Sequence, residues 1–217
     1  MILHVHALVA MLVVRLVNSL GSEVAKLSSG PTSRGLGQYT RRLCSNNVDG
    51  GAGVNYPSTE WVKLCATAED IEAVGQKLSP YLGPGDVLLL RGDLGAGKTC
   101  LARGLIRDKH QDGNMIVTSP SYLLDNTYDL EDTGKKIHHM DLYRLPEGCD
   151  MTVLGIPDIF EDSLCLIEWP SRMSQEVYPK DYLDVELKIL DDESRVIKFT
   201  PSSQASSRWK KKLSELF

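Results

Sequence analysis

Residues 88–99 read LLLRGDLGAGKT, an apolar run that breaks into three glycines, a lysine and a threonine. Gly92, Gly97, Lys98 and Thr99 satisfy the spacing G-x-x-x-x-G-K-[ST], and Gly95 adds a further glycine inside the loop. Glycine permits backbone conformations that turn successive N–H groups inward, so such a loop forms a concave anion site at the positive end of a helix. The pattern carries that meaning only between a strand and a helix, and both are predicted here. VLLLR (87–91) is a continuous apolar run of the kind found in a strand covered on both faces. The stretch from Lys98 to Arg107 places Leu101, Leu105 and Ile106 on a helical stripe. Gly92, Asp93, Leu94, Gly95, Ala96, Gly97, Lys98 and Thr99 are therefore the candidate nucleotide-binding residues. Lys98 is suited to reach the β and γ phosphates, and the Thr99 hydroxyl to ligate Mg2+. ATP or GTP binding anchors the reading.

A triphosphate held this way needs further acidic groups near its metal, supplied in a doubly wound sheet at the C-terminal ends of strands. Two predicted strands end so: IHHMD delivers Asp141 and LCLIE delivers Glu168. A carboxylate ending a buried strand is costly unless paired, which makes both better candidates than acids in open loops. Trp169 follows Glu168 directly. It either packs over the nucleotide or belongs to the core, and both readings stand. His138 and His139 are possible ligands or bases, but neighbours on a strand face opposite ways, so they do not act as a pair; one of them is expected to be half-buried and structural. The segment TSPSY (118–122) has hydroxyls and a stiff Pro120 that suit a loop approaching the γ-phosphate, with Ser121 as its candidate contact.

The rest of the chain from residue 60 completes an α/β domain. EWVKLCAT suggests a short first strand, and Ile71, Val74, Leu78 and Leu82 lie at helical spacing behind it. Thr67 is the expected N-cap, with Asp70 three residues on in a loose capping box. GPGD is a turn. MIVT (115–118), KIHHMDLY and LCLIEW are strand candidates, and DMTVLGIPDIFED reads as two short helices broken at Gly155 and Pro157. DVELKIL and RVIKFT, joined by DDES, read as a hairpin, and SRWKKKLSELF as a short basic helix whose charged end is solvated.

Composition sets the limits. The chain has 217 residues, 42% hydrophobic and 24% charged, which gives room for one domain plus appendages. A net charge of −5 argues against a broad basic surface that grips a nucleic-acid backbone, so any RNA is expected to be held by a partner. The five cysteines, scattered and without zinc-ligand spacing, read as reduced thiols. Within residues 1–48, Arg15, Lys26, Arg34, Arg41 and Arg42 face a single acid, Glu23. That is the composition of a transit peptide, with a secretory signal as runner-up, and the Gly-rich segment 46–59 reads as a linker. Residues 1–59 are thus expected to be targeting peptide and linker, residues 60–217 the P-loop domain, and the destination a mitochondrion or plastid.

GDLGAGKT, SPSY, HHMDLYRL and IEWP, in that order and at these separations, resemble the TsaE family, the ATPase subunit of the machinery that makes tRNA threonylcarbamoyladenosine (t6A). The resemblance covers about residues 60 to 200. It implies a P-loop ATPase with a mixed, mainly parallel sheet flanked by helices, active when docked on the TsaD/TsaB-type proteins that transfer threonylcarbamoyl to tRNA. It implies that Gly95 to Thr99 hold the phosphates of ATP, that Thr99 and Glu168 hold Mg2+ with Asp141 beside them, and that Trp169 belongs to the family's Glu-Trp pair. Lys98, Asp141 and Glu168 are then the candidate catalytic residues. Ser121 stands where the family usually has threonine. The first 59 residues have no counterpart in compact bacterial members, which fits an organelle-imported version. Two other classes meet the same Walker pattern: a nucleoside or small-molecule kinase, and a nucleotide-gated binding module with little turnover.

Overall fold

The computed structural model describes residues 60–130, 133–192, 194–202 and 206–216. Seven strands form one mixed sheet: β1 (Trp61–Cys65), β2 (Val87–Arg91), β3 (Asp125–Leu130), β4 (Lys135–Asp141), β5 (Leu164–Glu168), β6 (Leu183–Ile189) and β7 (Arg195–Pro201). Their spatial order is β1-β7-β6-β2-β5-β4-β3. The pairs β6–β2, β2–β5 and β5–β4 are parallel, whereas β1–β7, β7–β6 and β4–β3 are antiparallel. The sheet is thus parallel through its centre and antiparallel at both edges. Burying one leucine contributes roughly 1.5–3 kcal/mol, and Val87 to Leu90 are all buried, so the apolar run fixes β2 as the central strand.

Helices α1 (Ala68–Leu78), α2 (Lys98–Lys109) and α3 (Ser206–Leu216) pack on one face of the sheet. Ile71 and Val74 of α1, with Leu101 and Leu105 of α2, meet Leu88, Leu90, Leu166 and Val185 in one core cluster. Thr67 caps α1 as expected: its side chain accepts from Asp70 N at 3.2 Å, and Asp70 Oδ2 accepts from Thr67 N at 3.1 Å. Small residues let α1 and α2 touch. A Cβ on Gly104 would lie 1.9 Å from the Glu72 carbonyl oxygen, and one on Gly75 2.1 Å from that of Leu101. On the opposite face Val87, Leu89, Met140 and Ile167 are covered by irregular chain and by two short 3-10 turns, Met151–Leu154 and Asp158–Phe160. These are the two short helices expected around Gly155 and Pro157.

MIVT is not a strand. Ile116 is 84% exposed, and the carbonyls on either side of it accept from α2 side chains, Arg107 Nε to Met115 O at 2.9 Å and Arg103 Nε to Val117 O at 3.0 Å. The segment is strapped across α2 by arginines rather than paired in the sheet. Its place is taken by β3, DNTYDL, a polar edge strand whose Tyr128 and Leu130 reach the core. An edge strand needs only one apolar side, so hydropathy alone did not mark it.

The basic C-terminal helix is docked rather than solvated. Trp209 and Leu213 are buried, Trp209 Nε1 donates to Asp181 at 2.8 Å, and Arg208 and Lys212 both reach the buried carboxylate of Asp86 at 3.0 Å. A buried charge must be paired to be tolerated, and α3 supplies the partners for Asp86. Among the described residues Cys65, Cys100, Cys149 and Cys165 are free. Burial pushes the Cys65 and Cys165 thiols up to about 12, so they remain protonated. The expected transit peptide and linker fall on residues 1–59, outside the described residues.

Candidate nucleotide site

The loop 92–97 leaves the C-terminal end of β2 and enters α2 through glycines with positive φ, 141° at Gly92, 77° at Gly95 and 100° at Gly97. Two of them are also sterically required. A Cβ on Gly92 would sit 2.4 Å from the Leu187 carbonyl oxygen, and one on Gly97 2.7 Å from Ile71 Cδ1. No other residue fits there without moving the neighbouring strand or helix. Ala96 is buried beneath the loop, while Asp93, Leu94 and Gly95 are exposed. Arg195, opposite the end of β1, reaches across and donates from Nη2 to Gly95 O at 3.3 Å, so the β6–β7 turn braces the loop from outside.

Lys98 opens α2 with its side chain folded back over the loop. Its Nζ donates to Gly92 O and Asp93 O, each at 2.8 Å, and lies 4.4 Å from the centre of the Trp169 ring. Burial pushes its pKa down from the ordinary lysine value, opposed by the charges of Glu168, Asp141 and Asp93. The ammonium rests on neutral carbonyls, so an anion that enters the hollow offers it a stronger partner than it now has.

The two strand-end acids stand side by side, since Asp141 and Glu168 are register partners in the parallel β4–β5 pair. Both are buried. Glu168 Oε1 accepts from Thr99 Oγ1 at 2.8 Å and from His139 Nε2 at 3.0 Å. Asp141 Oδ2 accepts from Ser119 Oγ at 3.2 Å and, in a short bond, from Ser121 Oγ; Oδ1 accepts from Tyr143 N at 3.0 Å. The structure therefore brings together Lys98, Thr99, Glu168, Asp141, Ser121 and Trp169. Ser121 meets Asp141, the route by which the 118–122 loop joins the site.

Trp169 occupies a left-handed backbone conformation, φ 59°, with its ring against Tyr143 at 4.8 Å between centroids. It lies between Lys98 and the apolar cluster on the opposite face of the sheet, so one side of the ring packs on the core and the other borders Lys98. A cavity of about 280 Å³ borders the start of the loop, lined by Arg91, Gly92, Asp93, Trp169 and Glu186. The histidines divide as strand geometry requires. His138 is half-buried and bonded to Asp125 at 2.7 Å, a structural role. His139 is fully buried and touches the site. Its contact with Glu168, like those of Ser119 and Arg195, was not read from the sequence.

The donor set is hard: one hydroxyl and two carboxylates. Among the described residues no cluster of three or more His, Cys, Asp or Glu side chains converges as a self-sufficient metal cage. That suits Mg2+, which takes one or two carboxylates and completes its shell with water and substrate phosphates. Thr99 and Glu168, with Asp141 beside them, are the residues here that could hold such a cation.

A solved structure with the same architecture is that of Bacillus subtilis YdiB, which superposes with a TM-score of 0.57 at 27% identity, over 72% of this chain and 93% of that one. Curated relatives named tRNA threonylcarbamoyladenosine biosynthesis protein TsaE align from Haemophilus influenzae (43% identical over 49% of this chain and 65% of the relative) and Rickettsia felis (35% over 64% and 79%). Bacillus subtilis has another, 33% identical over 61% of this chain and 80% of the relative. The model of the family described as Threonylcarbamoyl adenosine biosynthesis protein TsaE matches residues 65–197, from the end of β1 into β7 and so across the whole site. The chain belongs to the TsaE family.

Proposed function

We propose that this chain is a Mg2+-dependent ATP hydrolase that serves t6A formation in tRNA, working on the proteins that transfer the threonylcarbamoyl group. The observation that carries the reading is the Thr99–Glu168 hydrogen bond at 2.8 Å, which ties the first turn of the loop's helix to a strand-end carboxylate. A structural glycine turn has no use for a buried acid there. The names of the relatives supply the pathway. The net charge of −5 supports indirect contact with tRNA, through partners that hold it.

Within this reading each side chain has a task. The inward N–H groups of residues 95–99 bind the β-phosphate, and Lys98 exchanges the Gly92 and Asp93 carbonyls for phosphate oxygens. Mg2+, when bound, neutralises charge on the phosphate oxygens. Asp141, already holding the hydroxyls of Ser119 and Ser121, orients water and couples the 118–122 loop to the phosphate end of the site. Trp169 and Tyr143 exclude bulk water from the Lys98 side. A kinase reading has less support, because Arg172, an arginine placed to serve a lid, is turned onto Glu147 at 3.4 Å. Residues 1–59, basic and nearly free of acids at their start, are proposed to direct import into an organelle.

The pathway assignment is tested by reconstitution with the transferase proteins, tRNA and threonylcarbamoyl donor. The wild-type chain is expected to support many rounds of t6A synthesis per transferase, and Lys98→Ala to support about one round or fewer. Equal multi-turnover synthesis by both forms would remove ATP hydrolysis from the account. Phosphate transfer from ATP to a nucleoside without partner proteins would favour a kinase.

A further inference from the structure

His139 is fully buried and touches the proposed cation site, and no step above uses it. It projects from β4 at the register level of Leu166 and Asn126. Its Nε2 lies 3.0 Å from Glu168 Oε1, and its Nδ1 is buried with no hydrogen-bond partner. A carboxylate only accepts, so Nε2 is the donor in this contact.

Both donors to Glu168, Thr99 from α2 and His139 from β4, converge on the same oxygen, Oε1. Neither engages Oε2. The carboxylate is thereby pinned from two elements through Oε1, and Oε2 is left to other partners. We infer that His139 is a positioning residue for the cation site: its Nε2–H fixes the rotamer of Glu168 so that the carboxylate meets Mg2+ preoriented. Outer-shell partners of this kind typically change metal affinity or activity by about 10–100-fold when removed. Thr99 alone cannot supply the constraint, because its hydroxyl turns about a single bond and sits in the first turn of α2, directly after the loop that must adjust to the nucleotide. His139 sits on the rigid sheet.

This inference rests on the Mg·ATP reading of the site, and its test separates the two. Calorimetric titration of ADP is carried out over a range of Mg2+ concentrations on the full-length wild type, His139→Leu and His139→Gln. Glutamine reaches about as far as Nε2 and presents an N–H, whereas leucine fills the volume without one. His139→Leu is expected to bind ADP in the absence of Mg2+ as the wild type does, while needing at least tenfold more Mg2+ for half of the cation-induced gain in affinity. His139→Gln is expected to stay within about threefold of wild type. A Mg2+ dependence in His139→Leu equal to wild type overturns the proposal, as does a His139→Gln variant as impaired as His139→Leu. If the wild type itself shows no Mg2+-dependent nucleotide binding, the ATPase reading falls and this one with it. A second readout needs no cation: in the nitrogen-15 spectrum the Nε2–H proton of His139 is expected to be present and slow to exchange, and an Nε2 without a proton contradicts the assignment.

Discussion

Changing Lys98 to alanine is expected to lower partner-stimulated ATP hydrolysis by at least about a hundredfold, the loss seen when one preorganised electrostatic contact to a reacting group is removed. Lys98 is the cation inside the loop, with Nζ 2.8 Å from both Gly92 O and Asp93 O. No neighbour replaces it: Arg195 approaches Gly95 O from outside, and Arg91 is committed to Asp184 at 2.6 Å. The same change should leave the fold intact. Burial already disfavours the charged ammonium, and the two carbonyls it releases lie in a loop with exposed residues, where water satisfies them. An inactive protein with an unchanged thermal midpoint is the predicted pairing. Hydrolysis within threefold of wild type would show that the lysine does not face the reacting phosphate.

Glu168→Gln is expected to be similarly damaging, by about 10²–10³-fold, for a different reason. The amide keeps an oxygen for Thr99 Oγ1 and His139 Nε2 to donate to. It loses the negative charge. Glu168 is buried, so removal of the charge relieves a desolvation penalty and offsets the lost attraction to the Lys98 ammonium. The variant should therefore stay close to wild-type stability while losing turnover and the Mg2+ effect on nucleotide binding. Thermal melts read beside phosphate release decide it. Loss of stability together with activity would mark Glu168 as a packing residue, not a cation ligand.

The parts of this protein that were legible in its sequence are those whose chemistry permits few alternatives. VLLLR is apolar on both faces because it lies in the middle of a sheet, and the glycines of 92–97 recur at positions where φ is positive and a Cβ would strike Leu187 O or Ile71. Asp141 and Glu168 were visible as acids that end apolar runs, and their register partnership follows from the parallel β4–β5 pairing. What escaped depends on who the neighbour is. MIVT has strand composition, but Arg103 and Arg107 of α2 claim its carbonyls. DNTYDL has loop composition, but an edge strand beside β4 needs only Tyr128 and Leu130. The lysines and arginine of the last helix read as a solvated charge run until Asp86 and Asp181 are placed beneath them. His139 is one of two adjacent histidines in sequence, and only the alternation of strand faces, joined to the position of Glu168, separates its role from that of His138.

The central claim is that the hollow formed by residues 92–99 captures a nucleoside triphosphate together with its cation. Isothermal titration of ATP into the folded chain, with and without Mg2+, tests it most directly. One site per chain, tightened by Mg2+ and abolished in Lys98→Ala, is the predicted result. No heat of binding in the presence of Mg2+, from protein with an intact thermal transition, would contradict it.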